Sequence, residues 1–185
     1  MAGLTNQTKK NIINSTIKII DNSGYNNISL RKLVKRLNLT TGAFYKHFST
    51  KEQLLSEVTV ELSQRIADDS YNRLNTNDVP EKQILQLANS FLEQYQKHPH
   101  IMDFLFFNPT SQSTISDSTV DFAYLNLINH LITELIVNKH LRKDKNTLFL
   151  QLWSFIQGYG SLIKNQSVQL DKNLIETTLN DFLKE

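Results

Sequence analysis

Residues 29–54 read SLRKLVKRLNLTTGAFYKHFSTKEQL, and their spacing decides the fold. From Ser29 to Leu37, Leu30, Leu33, Val34 and Leu37 recur at steps of three and four, which marks an amphipathic helix. Arg31, Lys32, Lys35 and Arg36 fall on its other faces. Asn38 follows, one of the few residues besides Gly that tolerates the left-handed conformation ending a helix. Thr40 can then cap a second short helix, because its hydroxyl can accept a hydrogen bond from a free backbone N–H of the first turn. In that helix Phe44 and Phe48 are four apart and face inward, leaving Thr41, Gly42, Tyr45, Lys46 and His47 outward. Two helices joined by so short a turn are what a helix-turn-helix DNA reader needs. The stretch from Thr41 to His47 would span roughly 10 Å at about 1.5 Å per residue, which suits a major groove roughly 12 Å wide. Gly42 and Ala43 keep its start slim, while hydroxyls, an ammonium and an imidazole offer polar contacts.

The run LTTGAFYKHFSTKEQLL, Leu39 to Leu55, closely resembles the recognition-helix signature of the TetR/AcrR family of bacterial transcriptional regulators. The Phe44–Tyr45 pair, His47–Phe48, Lys51 and Leu54–Leu55 carry that resemblance, together with Gly24 followed by an aromatic and Ser29 opening the preceding helix. Asn38 departs from the Gly usual there, and Val34 from the frequent Ala; neither threatens the geometry. The resemblance covers about residues 5 to 60. It implies a DNA-contacting set of Ser29, Arg31, Thr40, Thr41, Gly42, Ala43, Tyr45, Lys46, His47 and Lys51. Tyr45 and Lys51 are expected on the phosphate backbone, with Thr41, Gly42, Lys46 and His47 nearer the bases. Lys9 or Lys10, early in the first helix, would add nonspecific affinity.

Charge supports a polyanion partner at one end. The formal net charge is +2, but in residues 1–50 eight basic residues stand against Asp21 alone, a balance of +7, and the other 12 bases and 17 acids of residues 51–185 give −5. A basic module on an acidic body suits nucleic acid, although a run such as Lys32–Arg36 is by itself equally a solvated helix face. At 185 residues the chain has room for a small reader and a bundle with a sizeable core. It has no cysteine, which excludes disulfides and thiolate metal sites. The polar start shows no signal-peptide pattern and no apolar run approaches membrane-span length, so the expectation is a cytoplasmic protein without membrane contact.

The expected architecture is all-α, with about nine helices in two domains. Residues 1–49 form a three-helix DNA-binding domain, and residues 50–185 a helical ligand-binding and dimerisation domain. Residues 1–4 read as a loose tail before a first helix capped by Thr5 or Asn6 and ended by Gly24. Ser49 and Glu52 form a capping box for a long fourth helix, about Thr50 to Leu74. Lys51 then sits unfavourably at the positive end of that helix, a conflict a bound phosphate would remove. Pro80 and Pro99 each suit a first helical position, Asn108–Pro109 stops the short helix between, and Pro109 to Thr119 reads as a mobile loop. Residues 120–140, 146–164 and 172–183 read as the remaining helices. Residues 146–164 are apolar on more than one side, so that helix has two neighbours to meet. Gly158 and Gly160 in its interior suggest close approach to another helix. We read Phe149, Trp153, Ile156, Gly160, Ile175, Leu179 and Phe182 as the interface of a homodimer in which the last two helices pair with their symmetry mates.

The resemblance also implies a cavity for a small-molecule effector, with Phe91, Tyr95, Phe104, Phe122, Trp153 and Gln157 as its lining, and Asn89, Gln157 and Tyr159 as candidate polar groups. With no charge evident inside, a mainly apolar ligand is expected. It would favour a conformer whose two readers are wrongly spaced for successive major grooves, with the fourth helix as lever. His98-Pro99-His100 has only Asp103 nearby and lacks a ligand shell, so no metal or other cofactor is expected. No nucleophile elbow, phosphate-cradling loop or metal set marks an enzyme. The reading is a sequence-specific transcriptional regulator on a pseudo-palindromic operator, a repressor released by its ligand. The alternative is a helical protein-interaction module, which would not need Tyr45, Lys46, His47 and Lys51 at their spacing.

Overall fold

The computed structural model describes residues 2–117 and 119–184, and side chains from Asn6 onward. Among the described residues it holds ten α-helices, a single 3-10 turn at Tyr25–Asn27, and no strand. The helices are α1 (Ala2–Ser23), α2 (Leu30–Arg36), α3 (Thr41–Tyr45), α4 (Lys51–Arg73), α5 (Pro80–Lys97), α6 (Pro99–Phe107), α7 (Pro109–Ser116), α8 (Ala123–Lys139), α9 (Lys145–Lys164) and α10 (Lys172–Leu183).

The all-α expectation holds, with ten helices where about nine were foreseen. The extra helix is α7, in the stretch read as a mobile loop. Asn108 accepts from the N–H groups of Thr110 and Ser111, and Pro109 sits in the first turn, so the start is capped although the segment has little to bury. Two hydroxyl pairs then hold it to α4: Thr59 donates to Ser111 and Thr114 to Ser56, each at 3.0 Å. At the amino end, α1 starts at Ala2, so residues 2–4 are helical and neither Thr5 nor Asn6 stands at a cap position; Met1 lies outside the described residues. The capping box of α4 is displaced by one residue. Thr50 accepts from the Gln53 N–H at 3.0 Å, and the Gln53 side chain reaches back to the Ser49 N–H at 2.7 Å.

The chain forms two compact units: residues 1–62 with 98–121, and residues 63–97 with 122–185. In the first, Ile12, Ile20, Leu33, Phe44, Phe48 and Val58 are wholly buried. The Phe44 and Phe48 rings lie 5.5 Å apart. Gly24 closes α1 at φ 79°, ψ 159°, an extended positive-φ region open to little but glycine. The α6–α7 hairpin belongs to this unit. Phe104 packs on Tyr25 at 6.2 Å, and His98 bonds Asp21 at 2.9 Å, which engages one of the two histidines considered for a metal. No group of three or more metal-ligating side chains occurs among the described residues.

The second unit packs α5 against α8, α9 and α10. Its ends are well made. Asp144 and Asp171 cap α9 and α10, and His140 and Gln166, both at positive φ, end α8 and α9. Gly160 meets a close neighbour, but in its own chain: a Cβ there would sit 2.3 Å from Tyr95 Cε2. At Gly158 an added Cβ meets nothing within 4 Å. No helix of the described residues is long and apolar enough to cross a membrane.

Candidate nucleic-acid interface and ligand cavity

The turn between α2 and α3 is built as its residues dictate. Asn38 takes φ 52°, Leu39 N–H bonds the Val34 carbonyl at 2.9 Å, and Asn38 N–H bonds Lys35 at 3.2 Å. This paired closure satisfies two of the free carbonyls at the end of α2. Thr40 accepts from the Ala43 N–H at 3.0 Å. The helix that follows is shorter than expected: Thr41–Tyr45, with Lys46 as its C-cap, because His47 N–H tightens the turn by bonding the Phe44 carbonyl at 2.8 Å, three residues back; Phe44 and Phe48 are both in the core.

Thr40, Thr41, Gly42, Tyr45 and Lys46 are exposed, as is Arg31; Ala43, His47 and Ser29 are half-buried. Ser29 stands at the N-cap of α2 without using its side chain to cap it. Arg31, Lys32, Lys35, Arg36 and Lys46 have no acid partner among the described residues. The charge on this face is therefore not neutralised internally. Two other cations are engaged. Lys9 pairs with Glu57 at 2.6 Å and lies 5.5 Å over the Phe48 ring. Lys51, expected to point at a phosphate, donates instead to the Ile28 carbonyl at 3.1 Å. That bond offsets a positive charge at a helix start by a local acceptor, a third option beside phosphate and solvent.

In the second unit a cavity of about 50 Å³ lies among Ile84, Leu87 and Ala88 of α5, Tyr124 and Ile128 of α8, Phe149, Trp153 and Ile156 of α9, and Ile175 and Leu179 of α10. No charged side chain lines it. Burial pushes the Tyr124 phenol far up, with a smaller push from Tyr95, so the phenol stays neutral at any ordinary pH. Of the side chains expected as ligand lining, Trp153 lines this space. Phe91 stands behind it, stacked on Tyr124 at 4.9 Å and tilted on Trp153 at 5.6 Å. Tyr95 donates its hydroxyl to the Gln157 side-chain carbonyl. Phe104 is buried in the other unit, and Phe122, also buried, does not line the cavity. Tyr159 is engaged in folding: its hydroxyl donates to the Gln169 carbonyl at 2.8 Å and accepts from Asp171 N–H at 2.7 Å.

The expected dimer face is the inner face. Phe149, Trp153, Ile156, Ile175 and Leu179 line the chain's own cavity, Gly160 holds the Tyr95 ring, and Phe182 meets Phe155 edge-on at 6.3 Å. The opposite sides of these helices carry the exposed Leu150, Leu162 and Leu174. Sequence reasoning missed Ile84, Leu87, Tyr124 and Ile128 as lining; their only signal is the apolar stripe shared by every core residue of α5 and α8.

Residues 12–58 match the family model described as bacterial regulatory proteins, tetR family. An HTH-type transcriptional regulator of uncharacterised role, YobS of Bacillus subtilis (strain 168), is 21% identical over 174 residues, 92% of this chain and 86% of the relative. Among solved structures, the transcriptional regulator FadR from Bacillus subtilis, in complex with stearoyl-CoA, aligns with TM-score 0.70 at 15% identity, covering 95% of this chain and 97% of that one. RolR, in complex with its ligand resorcinol, aligns with TM-score 0.72 at 13% identity, covering 100% and 99%. At such identities the structural likeness speaks for the fold.

Proposed function

This chain is a DNA-binding transcriptional regulator of the TetR family, and from that premise we propose that it is a homodimeric repressor released from its operator by a small, mainly apolar ligand. The observation that carries the reading is the exposed α2–α3 face, whose five basic side chains have no acid partner among the described residues, in a chain whose second unit holds an apolar cavity. Thr40, Thr41, Gly42, Ala43, Tyr45, Lys46 and His47, with Ser29 and Arg31, meet the operator. Lys51 sets the connector that aims them. We keep the functional division at residues 49 and 50: the reader before it, ligand binding and dimerisation after it. A chain that reads chromosomal DNA in a bacterium works in the cytoplasm.

The dimer forms through the outer faces of α9 and α10, where Leu150, Leu162 and Leu174 are exposed and Gly158 leaves the α9 surface bare. Two readers then meet successive major grooves, which requires a pseudo-palindrome. Helix α4 begins beside the reader, and from Ser63 onward it belongs to the unit with the cavity. A ligand that binds one setting of α4 better than another shifts the population toward it. The two ligand-bound neighbours support a ligand-responsive reading.

Repeated selection of genomic fragments by the purified protein at two salt concentrations tests the reading. An enriched pseudo-palindrome whose affinity falls steeply with salt is expected. Enrichment of no sequence overturns it and leaves a helical interaction module. Leu162→Glu with Leu174→Glu is expected to yield monomers in sedimentation and to weaken operator binding; a persistent dimer removes this face from the proposal.

A further inference from the structure

We infer that the ligand of this cavity is a neutral molecule with an apolar body and one acceptor oxygen, and that the oxygen is bound by the side-chain amide of Gln157. The inference rests on the ligand-responsive reading above and names the chemical class for that same site.

The cavity as it stands is too small for a ligand of ordinary size. About 50 Å³ accommodates a few waters, whereas organic ligands occupy pockets of roughly 300–1,000 Å³. The site must therefore enlarge, and one boundary is made only of side chains. Phe91, Tyr124 and Trp153 form an aromatic layer, with Phe91 and Tyr124 stacked at 4.9 Å and 13° and Phe91 tilted on Trp153 at 5.6 Å. Trp153 and Tyr124 line the cavity on one side of this layer. One helical turn onward along the same faces stand Tyr95, four residues after Phe91, and Gln157, four after Trp153. The Tyr95 ring meets Phe91 edge-on at 5.9 Å, so only aromatic side chains stand between the cavity lining and the amide, and an enlarged site reaches Gln157 by displacing them.

At the end of that path a hydrogen-bonding group is missing. Tyr95 donates to the Gln157 carbonyl, while Gln157 Nε2 is buried and has no partner. Buried donors are rarely left so, because an unmade bond costs the full desolvation of the group. The Tyr95 ring is fixed against Gly160, where even a Cβ would approach to 2.3 Å, so the phenol cannot turn to serve the amide. An incoming acceptor oxygen can. A carboxylate or phosphate is disfavoured: no cationic side chain lines the cavity, and an unpaired charge placed in an apolar interior is costly. A ligand body with a flat ring would also replace the stacking it displaces.

The test uses shape-matched probes on the full-length protein, without DNA. Butyrophenone, n-butylbenzene (a CH2 in place of the carbonyl) and 4-propylbenzoate are titrated by calorimetry. Fluorescence of Trp153, the chain's one tryptophan, locates the binding. The ketone is expected to bind about tenfold tighter than the hydrocarbon, the worth of one net hydrogen bond, with the carboxylate weaker than the ketone. Gln157→Met should abolish the preference for the ketone. Tyr95→Phe, which leaves Nε2 in place, should keep it, so a loss in the first variant alone is not a folding defect. Equal affinity for ketone and hydrocarbon, a preference that survives Gln157→Met, tightest binding of the carboxylate, or no response of Trp153 to any probe would overturn the inference. If the ketone binds as stated yet leaves the operator complex intact, ligand release fails while the subsite stands.

Discussion

The reader and the cavity-bearing bundle are both small helical cores, but they leave their hydrogen-bonding capacity in different places. Among the described residues of the first unit, no buried side-chain polar atom lacks a partner, while the exposed Arg31, Lys32, Lys35, Arg36 and Lys46 have no acid partner. In the second unit four buried side-chain atoms have no partner among the described residues: Asn89 Oδ1, Ser90 Oγ, Gln151 Oε1 and Gln157 Nε2. A face with unsatisfied charge outward is complete as a shape and needs a large polar surface to meet it. An interior with unsatisfied amides is incomplete, and only something small enough to enter can finish it. The two units thus differ in where each leaves its bonds unmade.

The largest effect that can break this comparison is in the reader's core. Phe44 is wholly buried in the core of the first unit, against the Phe48 ring. Phe44→Ala is expected to cost about 3–5 kcal/mol, enough to melt a unit of this size. Urea titration should show an early transition for the first unit, with operator binding lost. Unchanged binding would mean that α3 does not need its core. Next is Gly160→Ala, which forces the Tyr95 ring aside. Overpacking of this kind costs about 1–3 kcal/mol. It should lower the denaturation midpoint of the second unit and change the response to any ligand, while operator affinity without ligand stays nearly constant. A loss of operator binding equal to that of Phe44→Ala would erase the separation drawn above.

A smaller effect sharpens the roles of two lysines. Lys46 is exposed with no acid partner, whereas the Lys51 ammonium is bonded to the Ile28 carbonyl. Lys46→Met should reduce the salt dependence of operator binding by up to roughly 0.9 in log–log slope per half-site, as one positive charge fewer lies in the groove and fewer counterions are released. Lys51→Met should weaken binding with the slope unchanged, since it loosens the connector and not a phosphate contact. A slope that falls in both variants would return Lys51 to the phosphate-contacting set.

This contrast also explains what the sequence made legible. The reader's signals are local. Asn38 at the left-handed position, Thr40 three residues before the N–H it caps, and Phe44 with Phe48 on one face all act within a single turn. Ambiguity entered where two neighbours fit one rule: Ser49 with Glu52 and Thr50 with Gln53 both spell a capping box, and packing chose the second. Long-range partners were invisible. Lys51 depends on a carbonyl 23 residues earlier, and α7 on hydroxyls of α4 more than 50 residues away. In α9, Phe149, Leu152, Trp153 and Ile156 form one apolar face and Leu148, Phe155, Tyr159 and Leu162 another; periodicity alone does not say how each is covered, and Leu148 and Tyr159 are buried where Leu162 is exposed. The Trp153 face lines the cavity together with α5 and α8, and for that reason the dimer seam is proposed on the exposed side of α9.

The smallest predicted effect concerns the end of α9, on whose orientation the ligand subsite depends. Asp144 caps that helix by accepting from the Thr147 N–H at 2.9 Å and from its hydroxyl at 3.1 Å. Those bonds favour the carboxylate, backbone bond first, and hold its pKa below the usual value. A depressed acid contributes stability that is fully present above its unfolded-state pKa, about 3.9, and is lost as pH falls through the lower folded value. The cap therefore acts fully at neutral pH and weakens only below about pH 4. Asp144→Asn keeps a side-chain acceptor in place but removes the titration. Acid unfolding of the variant, followed by Trp153 fluorescence nine residues along the same helix, should accordingly show a shallower dependence on pH below about 4 than the parent. Superimposable acid curves would mean that this end of α9 frays without affecting the tryptophan. The cavity would then owe its wall to the packing of α5 and α8 alone, and the inner face of α9 would be set by aromatic burial instead of by its cap.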